Sequence, residues 1–277
     1  MANYEIMICI DKTNPYNRIF FPLCWEFRSR LLELGFKCEI VWGDVETNAR
    51  KLIFGAHSSP KYWHEYTKSN DIIVNLEAFY NPEWRRINPN FLELLKGKCV
   101  FDFCSYNLPF LEDGRLFKVP PLYSNLRPKK RKDSDVVFIG SRNKYRADML
   151  NKIAGTGLNI KVGLDIFDND IFHAFDESWI YLSLNLDEGS VFCDYRFMQC
   201  AMSNTLFAGH FGDITDCPEV KKLVGVSLFE KDADVLRGLQ NLISNKADIM
   251  KALSIQYEIA QAYKNQFDSF VIQQFKV

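Results

Sequence analysis

Two stretches in the second half of the sequence set small residues beside cations in a way that suits an anion. Gly140-Ser141-Arg142-Asn143-Lys144 follows the apolar run DVVFI, with Arg146 one turn on. Asp187-Glu188-Gly189-Ser190 follows the run IYLSLNL and precedes a helical pattern carrying Arg196. Small-residue turns let backbone N–H groups approach an anion, and each following helix adds its positive end. Arg142, Lys144 and Arg196 supply charge enough for a diphosphate; the plainer alternative is a set of solvated helix-end charges. In the first half, two carboxylates stand where apolar runs end, Asp11 after YEIMICI and Glu77 after DIIVNL. Each is placed for a general base, or equally for capping the next helix or holding a loop.

Other chemistries lack their residues. The GxGxxG dinucleotide fingerprint is absent: Gly155 and Gly157 come closest but follow a helical pattern and precede a strand. There is no GxxxxGK[ST] and no GxSxG. His64-Glu65 starts an HExxH motif that fails at Thr67 and Lys68, and His57, His64, His173 and His210 lack metal-ligand spacing. Three Asp-x-Asp triplets occur, Asp133-Asp135, Asp168-Asp170 and Asp232-Asp234. The first precedes a strand and the others sit where helices begin, so they read as capping acids rather than metal ligands. The eight cysteines form no CxxC pair and lie mostly in apolar runs, as reduced core residues do; Cys99 and Cys104 are the pair closest to a bridge.

These residues need a scaffold that brings strand ends together. The first half alternates strand patterns (4–11, 37–43, 71–77, 99–105) with helical ones (21–35, WHEYTKS, and the later part of NPEWRRINPNFLELLKGK). The stretch 119–135 holds three prolines and the basic run Lys129 to Lys132 and reads as a linker. Alternation then restarts, with strands at 135–141, 158–164, 180–186 and 205–210 and helices between them. The tail from Ala247 is one or two long helices. Short strands separated by helices predict parallel sheets covered on both faces. The expected organisation is α/β: two Rossmann-like parallel-sheet domains in series (1–122 and 135–250), a linker between them (123–134) and a C-terminal helix (251–277).

The 277 residues, 47% hydrophobic and 14% aromatic, exclude wholesale disorder and suffice for two cores. Net charge is -1, so no global positive field holds nucleic acid or an anionic membrane. No apolar run approaches the roughly 20 residues of a membrane span, and the N-terminus reads as a strand rather than a leader. With the cysteine usage, this predicts a cytoplasmic protein.

The segment Arg196-Phe-Met-Gln199-Cys-Ala-Met-Ser-Asn204 resembles the R-x-F-E-A-x-A-x-G segment of two-Rossmann-domain (GT-B) glycosyltransferases, the spore-maturation-type and group-1-like enzymes in particular. The preceding strand ending in Asn185 and the DVVFIGS–helix unit are similar to the same family, over residues 135–245. The resemblance implies two sheets facing across a cleft, with the acceptor on 1–122, the donor on 135–250 and the C-terminal helix (251–277) packing back on the first domain. It also implies that Arg196 faces the donor diphosphate and that Gly140-Ser141 lies near the donor phosphates. Gln199 stands where the family has a Glu that grips the donor ribose, and Asn204 stands where it has Gly. Gln still offers a donor and an acceptor to a diol, and Asn tolerates a left-handed turn.

The expected function is therefore metal-independent transfer of a sugar from a nucleotide-diphosphate sugar to an unidentified acceptor. The donor is a co-substrate and no cofactor is required. Its site is Gly140, Ser141, Arg142, Lys144, Asn185, Glu188, Gly189, Ser190, Arg196 and Gln199, and the base is Glu77 or Asp11. Two alternatives differ in kind: a transferase acting on DNA bases or another polyanion, hinted at by Lys129–Lys132, and a binding module that clamps a small ligand without chemistry. Trp25, Trp84 and Trp179 fall in helical patterns as core residues; Trp42 and Trp63 are candidates for lining a ligand cleft.

Overall fold

The computed structural model describes residues 5–77, 79–111, 115–118, 132–141, 143–164, 166, 169–185 and 192–275. Arg142, Glu188, Gly189 and Ser190, together with Lys129, Lys130 and Arg131 of the basic run, therefore lie outside the described residues. The chain divides into two compact units, Met1–Leu122 with Gln266–Val277, and Tyr123–Asn265.

The first unit is built on a six-stranded sheet: β1 (Ile6–Ile10), β2 (Cys38–Trp42), β3 (Arg50–Phe54), β4 (Ile72–Asn75), β5 (Cys99–Asp102) and β6 (Arg115–Lys118). Its order is β2-β1-β3-β4-β5-β6, with every pair parallel. The run IMICI is buried along its whole length, as a parallel strand covered on both faces must be. Met7, Cys9, Ile53, Ile73 and Val100 turn to one face, against Trp63 of α2 (Pro60–Tyr66) and Phe91 and Leu94 of α4 (Pro89–Leu95). On the other face, Phe27 of α1 (Phe21–Glu33) packs edge-on to Phe54 at 5.8 Å. The helical stretch expected after β4 is split into α3 (Pro82–Ile87) and α4, because Pro89 cannot continue a helix through Asn88.

The second unit holds β7 (Ser134–Ile139), β8 (Ile160–Gly163), β9 (Ser178–Ser183), β10 (Leu206–His210) and β11 (Leu228–Phe229), all parallel, in the order β11-β10-β9-β7-β8. Alternate residues feed two cores. Val137, Ile139, Tyr181 and Phe207 join α6 (Asn169–Asp176) and α7 (Asp194–Met202). Val136, Phe138, Ile180, Leu182 and Leu206 join α5 (Lys144–Ala154) and α8 (Asp232–Ser244). Trp179, expected in a helix, is the second residue of β9.

The long helix α9 (Lys246–Phe275) serves both units. Ile249, Ala252, Ile259 and Tyr263 pack in the second. Phe267 meets Phe27 at 5.3 Å, Phe270 meets Phe101 at 4.9 Å and Asp268 pairs with Arg30 in the first. From Gln266 onward this helix belongs to the first unit, and the residues before that point supply apolar side chains that cover the second sheet. All eight cysteines are free, so the Cys99–Cys104 bridge does not form. Among the described residues no helix is long and apolar enough to cross a membrane.

Gly209 shows how tightly β10 and β9 approach. Its φ is +123°, and a Cβ there would lie 2.2 Å from the Ser183 carbonyl oxygen. Gly209→Ala should therefore cost at least about 2 kcal/mol of stability, measured by denaturant unfolding, since neither the backbone angle nor the neighbouring strand can yield cheaply.

Candidate functional site

In the second sheet, β8 and β9 lie on opposite sides of β7. The loops leaving β7 and β9 therefore diverge from a topological switch point, where open α/β sheets bind ligands. After β7, Asn143 caps α5 by accepting from the Arg146 N–H at 2.8 Å. Arg146 then ties the two exits together: Nη1 donates to the Ser141 carbonyl (2.9 Å), while Nη2 (2.6 Å) and Nε (3.1 Å) donate to the Leu184 carbonyl. Leu184 precedes Asn185, which is half-buried at the β9 exit. Gly140 and Ser141 are thus held beside Asn185 by one guanidinium. Lys144 is turned to solvent and paired with Asp148 at 2.8 Å, an exposed helical i,i+4 pair.

Arg196 lies in the first turn of α7 and is only 6% exposed. Its guanidinium sits 5.3–5.7 Å from the ring centres of Tyr195, Phe175 and Tyr181, and Nη1 donates to the Gln199 side-chain oxygen at 3.1 Å. Among the described residues no carboxylate pairs with it. Gln199 is itself buried. The structure thus brings Arg196 and Gln199 together, one turn apart on one helix. Asn204, at φ +51°, is the one non-glycine residue with positive φ among those described, the conformation for which Asn substitutes for Gly.

In the first sheet the switch point lies between β1 and β3. Asp11, 1% exposed, closes it. Its Oδ1 accepts from the Thr13 N–H (2.7 Å) and hydroxyl (2.5 Å), and its Oδ2 from the Trp63 indole N–H (2.5 Å) and the Ser59 hydroxyl. With four donors on two oxygens, the carboxylate has little capacity left for a substrate proton; it stitches the β1 loop to the β3 loop. Trp63, expected at a ligand cleft, is spent in the same stitch and is fully buried. Asp11→Asn places an amide N–H against donors, and should cost about 2 kcal/mol by chemical denaturation, with turnover falling only as far as the folded fraction does.

Glu77 is held differently. Its N–H donates to the Asn75 side chain at 3.1 Å, and its carbonyl accepts from Asn75 (3.1 Å) and Asn107 (2.8 Å). Both amides are anchored by Asp102, which is buried at the end of β5. The backbone is pinned while the half-buried carboxylate extends to His57, with Nδ1 3.4 Å from Oε1. Phe20 and Phe91 meet the imidazole edge-on.

The remaining sequence candidates separate. Trp42 is 39% exposed and stacks on Phe21 at 5.2 Å, whereas Trp25, expected in the core, is 49% exposed beneath Arg28. Lys132 is no solvated linker charge: its amine donates to Phe175 O, Ser203 O and Thr205 Oγ1, and burial pulls it down to about 8. Asp232, read as a capping acid, does lie in the first turn of α8, but its carboxylate accepts from Tyr145 and His210. Sequence reasoning missed that cluster; position at a strand exit was the only signal His210 carried. Among the described residues no group of three or more His, Cys, Asp or Glu side chains is placed to hold a metal ion.

No protein-family model matches the chain, and no curated protein sequence matches it. Solved structures do. T4 phage BGT in complex with its UDP-glucose substrate superposes with a TM-score of 0.62 at 14% identity, over 98% of this chain and 100% of that one. A structure of the DNA-modifying enzyme β-glucosyltransferase gives 0.61, with the same identity and coverage. The Thermobaculum terrenum O-GlcNAc transferase gives 0.50 at 8% identity, over 96% of this chain and 66% of that one. Two parallel Rossmann-like sheets, each with a switch point, and a C-terminal helix shared between the units define the architecture: the chain has the GT-B glycosyltransferase fold.

Proposed function

We propose that the protein is a glycosyltransferase that takes a sugar from a nucleotide-diphosphate sugar, uridine diphosphate-linked in the simplest case, and needs no resident metal. The observation that carries this reading is Arg196, a buried guanidinium one turn into the helix after the switch-point strand, with no carboxylate partner among the described residues. A buried unpaired charge costs several kcal/mol, and a diphosphate supplies the missing anion. The aromatic rings around it offset part of that cost and keep water away. The likeness to T4 phage BGT over the whole length of both chains supports the same donor class.

The reaction we assign to these residues is a direct displacement. An acceptor hydroxyl attacks the anomeric carbon and Glu77 takes its proton. The bond from that carbon to the diphosphate oxygen breaks, and the nucleoside diphosphate leaves with the electron pair. Arg196 and the positive ends of α5 and α7, with Gly140 and Ser141 before α5, stabilise the developing charge; Arg142, Gly189 and Ser190 are assigned to the same anion site from the sequence alone. Gln199 and Asn185 supply hydrogen bonds to the donor ribose or sugar. Glu77 is preferred to Asp11 as the base because its carboxylate is not saturated with donors.

A modified DNA base that carries a hydroxyl is the acceptor class we favour: the structure matched over its full length is a DNA-modifying enzyme, and Trp42 with Phe21 offers a partly exposed stacking face at the end of β2. Eight free thiols support a reducing, cytoplasmic setting.

The test is calorimetry and slow hydrolysis with a panel of nucleotide-sugars, with and without EDTA. Binding, slow release of nucleoside diphosphate and indifference to EDTA are expected. Binding without hydrolysis or transfer identifies a ligand-clamping module instead, and absence of binding to every donor overturns the reading. Binding to duplex DNA that weakens steeply with salt supports the acceptor class.

A further inference from the structure

Beside the switch point of the second sheet lies a titratable cluster that the reaction above does not use. His210 ends β10 and is 4% exposed. Its Nε2 lies 3.2 Å from Asp232 Oδ1, at the start of α8, and its Nδ1 lies 3.3 Å from the Tyr145 hydroxyl, in the first turn of α5. Tyr145 also donates to Asp232 at 2.7 Å and stacks on the imidazole, ring centres 6.2 Å apart.

Tyr145 and Arg146 are consecutive. Arg146 fastens the first turn of α5 to the exits of β7 and β9. Tyr145 fastens the same turn to the exit of β10 and to α8. The first turn of α5 is therefore tied to three adjacent strand exits and one helix. An anion site made of backbone N–H groups works only if those groups are held still before the anion arrives.

We propose that His210, acting through Tyr145 and Asp232, is a positioning residue for the donor diphosphate, locking the first turn of α5 in its anion-binding geometry. The inference rests on the donor reading given above. Hydrogen-bond counting makes it testable. Asp232 only accepts, so His210 Nε2 carries a proton. With a neutral imidazole, the Tyr145 hydroxyl must divide its single proton between Nδ1 and Asp232. With an imidazolium, Nδ1 donates to the Tyr145 oxygen, that hydroxyl donates to Asp232, and every contact is satisfied. Protonation thus tightens the lock and adds positive charge at the edge where the donor binds. The groups facing the cluster are Asp232 from α8 and Tyr145 from α5, with the Arg146 charge also acting on Tyr145. Burial holds His210 below its ordinary value, against the pull of Asp232, so the imidazole is neutral at neutral pH and gains its proton only on acidification.

The experiment is calorimetric titration of uridine diphosphate into wild type, Tyr145→Phe and His210→Gln between pH 5.5 and 7.5, with melting curves to confirm folding. At pH 7.5 Tyr145→Phe should weaken binding about fivefold, the worth of one hydrogen bond. For both variants the ratio of variant to wild-type Kd should grow as pH falls. Taking the ratio cancels the titration of the diphosphate itself. A ratio that is constant with pH overturns the positioning role, because a purely structural defect has no reason to follow His210 protonation. If wild type binds no uridine diphosphate at any pH, the donor reading fails and this inference with it; wild-type binding with superimposable pH profiles overturns this inference alone.

Discussion

Arg196→Ala should weaken donor binding about a hundredfold and leave the protein folded and at least as stable. The two halves of that expectation have one cause. A buried guanidinium with no carboxylate partner among the described residues is a cost to the folded state, so its removal relieves desolvation rather than breaking an ion pair. Its neighbours tolerate the loss: Gln199 gives up one 3.1 Å hydrogen bond, and Phe175, Tyr181 and Tyr195 gain a small cavity. The donor loses a charge-assisted contact in low-dielectric surroundings, worth about 3 kcal/mol, or roughly two orders of magnitude in Kd. Calorimetry with uridine diphosphate and a melting curve on the same sample decide it. A fall in melting temperature with unchanged Kd would make Arg196 structural and remove the basis of the donor site.

Glu77→Gln should lower kcat by a factor of about 10² to 10⁴, the range for loss of a general base, with donor Kd unchanged. The substitution is a clean probe because the contacts fixing Glu77 use its N–H and carbonyl oxygen, which the change leaves alone. Only the approach to His57 is altered. The contrast with Asp11→Asn is diagnostic: there the side chain itself is the structural element, and stability rather than turnover should change. Unchanged turnover in Glu77→Gln excludes it as the base.

Glu77 stands just past β4 and Arg196 in the helix that follows β9, and strand ends are what local pattern reveals well. Runs such as IMICI and SDVVFI declare buried strands by composition alone, and the small-residue turn after the second locates one side of a switch point. Three strands escaped this reading. RKLIF opens with two cations, of which Lys51 is buried only because Asp44 meets its amine at 2.5 Å. The four residues of β6 and the two of β11 are too short for any period to show. Their strand state comes from pairing with β5 and β10, which is not a local property.

Side-chain roles divide in the same way. Arg196 and Gln199 lie one helical turn apart, so their meeting follows from a 3.6-residue period and could be read in advance. The occupation of Asp11 by Trp63 spans 52 residues, the clamp from Arg146 to Leu184 spans 38, and the contact of Tyr145 with Asp232 spans 87. Whether a carboxylate at a strand exit is a free base or a saturated stitch depends on which donors other loops bring to it. The linear sequence thus determined the class of fold and the edges where chemistry can occur, because burial and periodicity act over a few residues. Only the tertiary structure decided which polar groups at those edges are already spent on one another, because hydrogen-bond partners are set by sheet order and not by distance along the chain.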